Sequence, residues 1–196
     1  MAKVDAITYF EDTGKWQQNT KRLVEIVGKE LKGSRIKHVV FSTCRGYTGA
    51  QFAPLAKANP KVSFVGVGMS MAVDKLYDVK WNARYGKTME QAGVQFMRGT
   101  HALTGGIDRA VRAEFHGYPP GALVAQTLYL FSQGMKVAVE VIAMACDAGL
   151  IPEGKQVIAC GGTGSGADTA IVATSAASAN LFGMTIHRVL AMPLKK

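Results

Sequence analysis

Residues 37–49 read KHVVFSTCRGYTG. Lys37–Ser42 has almost no polar alternation, which is the pattern of a strand buried on both faces in a parallel sheet. A turn of small residues follows, and an apolar stretch running to Asn59 and closed by Pro60 predicts a helix. Val62–Val67 (VSFVGV) then repeats the buried-strand pattern. Upstream, Ala6–Phe10 (AITYF) reads as a strand. Asn19 and Thr20 are N-cap residue types ahead of a helix whose Leu23, Val24, Ile26, Val27 and Leu31 mostly share one face. Lys21, Arg22, Glu25 and Lys29 point the other way, and Gly33 and Ser34 end the helix. Strand, helix, strand, helix, strand is the order of an α/β layered fold.

Downstream the pattern loosens. Gly68–Lys87 shows no period and reads as a long connection, of the kind that often carries function. Thr88–Ala92 reads as a short helix and Val94–Arg98 as a strand. Thr104 is placed to cap a helix over Ile107, Ala110, Val111 and Phe115, with Asp108 in its first turn. Pro119 and Pro120 open another helix, with Leu123, Val124, Thr127, Leu128 and Phe131 inward and a break at Gly134. Lys136–Ala148 is apolar nearly all round and so reads as a buried helix. No repeat or linker divides the 196 residues, which are read as one domain.

Composition excludes several classes. The apolar fraction is 48% and the charged fraction 19%, ordinary for a globular protein. No apolar run reaches the roughly 18–20 residues that span a bilayer. The start, MAKVDAITYFEDTG, lacks the apolar core of a signal peptide. Cys44, Cys146 and Cys160 have no metal-ligand spacing, which predicts free thiols in a reducing cytoplasm. The net charge of +9 first suggests nucleic acid. However, Lys21, Arg22, Lys29, Lys32, Arg35 and Lys37 are mixed with Glu25 and Glu30 and lack interleaved aromatics. That is the pattern of a solvated helix face, and its field equally favours a small anion.

Two glycine loops carry the chemistry. Ser42–Gly49 lies between a buried strand and a helix start, where free N–H groups and the helix dipole favour an anion. Ser42, Thr43 and Thr48 add hydroxyls, Gly46 and Gly49 admit close backbone approach, and Arg45 can pair with phosphate. The spacing is neither GxxxxGK[ST] nor GxGxxG, and a tight turn capped by Thr48 is the alternative. The second loop belongs to CGGTGSGADTAI, Cys160–Ile171. Asp168–Ser175 is β-branched, so the glycines join strand Gln156–Cys160 to a returning strand and not to a helix. That disfavours a dinucleotide fingerprint. Gly161, Gly162, Gly164 and Gly166 can still wrap an anion, with Thr163, Ser165 and Thr169 as donors. Asp168 would repel phosphate and suits a hydroxyl, a ring N–H or an amide. A flexible hairpin is the alternative.

Glu140, inside VAVEVIAMA, must be paired, hydrogen-bonded or protonated. Asp147, seven residues on, sits on roughly the same face at an unfavourable helix end. The two either form a site or tie down loop amides. His101 precedes a helix start; His38, His116 and His187 are scattered and no metal-ligand spacing appears, so no metal site is expected. His101, Glu140 and Asp168 are the acid–base candidates.

The stretches HALTGGIDRAVRAEFHGYPP, GMKVAVEVIAMACDAGLIP, VIACGGTGSGADTAIV and IHRVLAMPL resemble stand-alone relatives of the pyruvate kinase C-terminal domain. ITYFEDTGKWQQNT and VVFSTCRGYTGA fit the same family, and the likeness runs from Asp5 to Pro193. It implies a three-layer α/β/α sandwich with a mostly parallel sheet of about five strands. It implies a phosphate site between the two loops, and some relatives are associated with flavin mononucleotide (FMN). The catalytic barrel of pyruvate kinase has no counterpart in these residues, so no pyruvate kinase activity is implied. Members of the family often carry arginine in the late loop where this chain has Thr163 or Gly164, while the first loop is one residue longer and contains Arg45. Arg45 is therefore expected to supply the missing charge. Phe10, Tyr47, Phe64 and Met69 are candidate walls for a flavin ring. The expected function is binding of a phosphate-bearing small molecule; a flavin-dependent oxidoreductase and a sugar-phosphate-sensing module are the alternatives. Expected partners are that ligand and further copies of the chain in a homo-oligomer, without nucleic acid or membrane.

Overall fold

Seven strands form one sheet in the order β1-β7-β6-β5-β2-β3-β4. They are β1 (Thr8–Phe10), β2 (His38–Ser42), β3 (Ser63–Met69), β4 (Gln95–Gly99), β5 (Gln156–Gly161), β6 (Thr169–Thr174) and β7 (Thr185–Pro193). This computed structural model describes residues 6–195. Residues 1–5, where the stretch read for a signal peptide begins and where Asp5 lies, and Lys196 are outside the described residues. Only β6 runs against its neighbours; the other strands share one direction.

The alternation of side chains along β2 builds two cores. Val39 and Phe41 face α1 (Trp16–Gly33), α2 (Tyr47–Ala58) and α4 (Ala83–Glu90). Val40 faces α7 (Gln133–Asp147) on the opposite side. Leu23, Val27 and Leu31 of α1 enter the first core, where Phe41 stacks on Phe52 at 4.4 Å between ring centroids. Met135, Ala138, Ile142 and Ala145 of α7 fill the second. Each large apolar side chain so buried stabilises the fold by about 1.5–3 kcal/mol. The sheet is thus covered by helices on both faces, and α7 is buried as its all-round apolar sequence requires.

Several expectations need correction. The sheet has seven strands where about five were expected. The extra pairing comes from β7, which joins β1 to β6. The N-terminal half of β7 is solvent-exposed and carries His187 and Arg188, so it shows no buried-strand pattern. Gly68–Lys87 contains α3 (Met71–Leu76) and the start of α4, whose buried residues are only Asp74 and Met89. Helix α1 starts three residues before Asn19, behind a 3-10 turn over Thr13–Lys15 that Asp12 caps. Asn19 and Thr20 are therefore buried inside the helix and do not cap it. Thr104 does not cap α5 (Gly106–Phe115); the helix begins behind Gly105, without a side-chain cap. On α6 (Pro120–Leu128) the buried residues are Ala122 and Ala125, while Leu123, Thr127 and, beyond the helix, Phe131 are exposed. Gly134 lies within the first turn of α7, and the break before it is capped by the Ser132 hydroxyl, which accepts Met135 N–H at 2.9 Å.

Candidate functional site

Strand β2 has β3 on one side and β5 on the other. The chain leaves β2 in one direction and returns on the other side, so a crevice opens at the carboxyl ends of β2 and β5. That is where ligands sit in open α/β sheets. Both glycine loops lie at this point: Ser42–Gly49 follows β2, and Gly162–Asp168 follows β5. A cavity of about 500 Å³ opens there.

The first loop is set by Gly46, whose φ of 89° only glycine adopts readily. A side chain there would also meet Tyr85. Thr43, not Thr48, closes the turn: its hydroxyl accepts Gly49 N–H at 3.0 Å. The Tyr47 and Thr48 amides are left at the helix start, where no intrahelical acceptor exists. Ser42, Thr43, Arg45 and Thr48 line the cavity; Gly46 and Gly49 shape its backbone without lining it.

The second loop is a hairpin turn, as its strand pairing requires. Gly164 and Gly166 have positive φ. Ala167 N–H donates to Thr20 Oγ1 at 2.9 Å, which moors the loop on α1. Gly162, Gly164, Ser165 and Gly166 line the cavity. Gly161, Asp168 and Thr169 stand outside it, and Thr163 faces a smaller cavity of about 310 Å³. Asp168 turns inward. It accepts Thr163 N–H at 2.9 Å and the Thr169 hydroxyl at 2.9 Å, which holds the hairpin closed. Burial pushes its carboxyl up, and these hydrogen bonds oppose the shift. The loops meet where Arg45 Nη1 lies 3.5 Å from Ser165 Oγ.

On another wall the structure joins His101 and Glu140, both lining the cavity. Glu140 Oε2 accepts from His101 Nδ1 at 2.8 Å and from Lys136 Nζ at 2.5 Å; Oε1 accepts Leu103 N–H at 2.9 Å. Lys136 also donates to Thr104 Oγ1 at 3.0 Å. Burial pushes the Glu140 carboxyl up, but the His101 hydrogen bond and the Lys136 charge outweigh it and hold the group at about 2. Asp147 has a different role: it is exposed and accepts Ser178 N–H at 2.9 Å. The sequence reading did not connect Lys136 to Glu140, although a lysine four residues before an acid on an apolar helix was the available signal.

Of the proposed ring walls, Tyr47 and Met69 line the cavity, whereas Phe10 and Phe64 are core residues. Trp16 and Tyr77 line it without having been singled out. Trp16 packs edge-on to Tyr47 at 5.0 Å. Burial pushes the Cys44 thiol up, so this lining residue is not a thiolate at neutral pH. Among the described residues no group of three or more His, Cys, Asp or Glu is placed to hold a metal ion, and no helix is long and apolar enough to cross a membrane. No known family's model matches the chain.

Proposed function

We propose that the protein binds a phosphate-bearing small molecule in the cytoplasm, with FMN as the candidate, and that the fold is the three-layer sandwich of the pyruvate kinase C-terminal-domain-like family. The observation that supports this most is the meeting of the two glycine loops over one cavity, with Arg45 reaching from the first loop to Ser165 of the second. The donors there suit an anion: hydroxyls of Ser42, Thr48 and Ser165, amides at the start of α2, and one guanidinium. The volume suits a molecule of mononucleotide size.

Arg45→Ala is expected to weaken binding of inorganic phosphate or FMN about tenfold or more, the usual loss for a charge-assisted hydrogen bond. Titration calorimetry on both proteins reads it, alongside a visible spectrum of the purified chain and mass spectrometry of what acid releases. A preparation without bound ligand and without affinity for flavins or phosphates would end this reading.

A flavin-dependent oxidoreductase is the second reading, favoured by the His101–Glu140 pair on the cavity wall. Reduction of a bound flavin by NADH or NADPH, followed by reoxidation, would distinguish it from a binding module. Ile107, Phe115 and Phe131 are exposed apolar side chains, and light scattering would test whether the protein self-associates.

A further inference from the structure

Lys136, Glu140 and His101 form a line of polar groups that ends in the cavity. Lys136 and Glu140 are 2% and 1% exposed, so each depends on the other to stay charged. Leu103 N–H, on Glu140 Oε1, fixes the loop that carries His101. An ionised carboxylate can only accept a hydrogen bond. In its neutral form the His101 ring carries its proton on Nδ1, facing Glu140, and presents a bare lone pair at Nε2. Among the described residues Nε2 has no partner, and the His101 side chain, 25% exposed, lines the cavity. Val79, Val137, Val141 and Met144 make the neighbouring wall apolar. One fixed acceptor beside an apolar wall suits an apolar ring that carries an N–H donor. The glycine loops offer the reverse, a set of donors with Arg45 among them.

We propose that the cavity takes a monophosphate whose other end is a ring bearing an imide-type N–H, and that this N–H donates to His101 Nε2. Glu140 is the positioning residue that sets the tautomer, and Lys136 keeps Glu140 ionised. The inference rests on the phosphate-site reading above and adds the chemistry of the ligand's far end.

The test compares three probes: inorganic phosphate, FMN, and FMN methylated at its imide nitrogen. Each is titrated by calorimetry into the wild type and into His101→Phe, and histidine nitrogen-15 spectra of the wild type report Nε2. The expected result is that methylation weakens binding to the wild type about tenfold, as loss of one hydrogen bond does. His101→Phe should bind both flavins alike, and only unmethylated FMN should shift the Nε2 resonance. Equal affinity of the wild type for the two flavins, or an unmoved Nε2 resonance, would overturn the inference while leaving the phosphate site standing. Binding of phosphate without FMN would overturn it in the same way. Binding of none of the three would overturn both. If His101→Phe does not fold, the two flavins on the wild type and the nitrogen spectra still decide.

Discussion

Glu140 shows what one residue can and cannot announce. An acid at this place in an apolar helix requires partners, and that requirement is local. Lys136, one turn earlier, could have been paired with it on spacing alone. His101, 39 positions away, could not, because only the tertiary fold brings the loop before α5 against the flank of α7. Asp147 shares the heptad position of Glu140 but not its surroundings, and so it holds a surface loop amide. The two residues of the ion pair should respond unequally to removal. Glu140→Gln leaves a lysine 2% exposed without its counter-charge, and a loss of about 3–5 kcal/mol is expected. Lys136→Met should cost less, since Glu140 keeps His101 and Leu103 N–H. Urea unfolding of both variants measures this. A Glu140→Gln protein as stable as the wild type would show that the pair is not what holds this loop to α7.

At the scale of elements, the α/β alternation and the late hairpin were legible because buried parallel strands carry unbroken apolar runs. Two elements that bury little were not legible: α3 buries only Asp74, and β7 exposes its first half. Helix α5 was legible from its spacing although it has no buried residue. Cap reading failed where a better partner took the hydroxyl: Thr104 accepts Lys136, and Thr20 accepts Ala167 N–H across the loop. The start of α7 is the junction on which the second loop depends. Ser132 Oγ lies 3.1 Å from Thr169 Oγ1, which in turn donates to Asp168. A Cβ added at Gly161 would strike the Gly134 carbonyl. Ser132→Ala is therefore expected to cost about 1–2 kcal/mol through the lost cap and to weaken phosphate binding through the loosened hairpin. Gly161→Ala should cost more, because α7 must move off the end of β5. Thermal melts with and without phosphate would rank the two, and the opposite order would mean that the helix and strand are not in close register there.

Across the whole molecule the net charge of +9 does not by itself select a partner, since such a field favours any anion and a site is made where loops converge. Both cores share β2, so damage on the α7 face should spread through the sheet and unfold the protein in one transition. Acid offers that damage. The folded Glu140 group sits at about 2, below its ordinary 4.5, so its contribution is present above 4.5 and is lost as the pH falls toward 2. A shift of that size corresponds to about 3 kcal/mol in order of magnitude. Asp168 acts in the opposite sense: burial raises it, so its contribution is complete in acid and is lost as the pH rises through its folded value. Asp168 therefore cannot be the cause of acid unfolding. The stability of the wild type should fall between pH 4.5 and 2 while that of Glu140→Gln stays flatter, so that their difference shrinks as the pH drops. Urea titrations across this window, followed by both tryptophan fluorescence and circular dichroism, measure it. A difference independent of pH would remove Glu140 as the group through which acid reaches the fold.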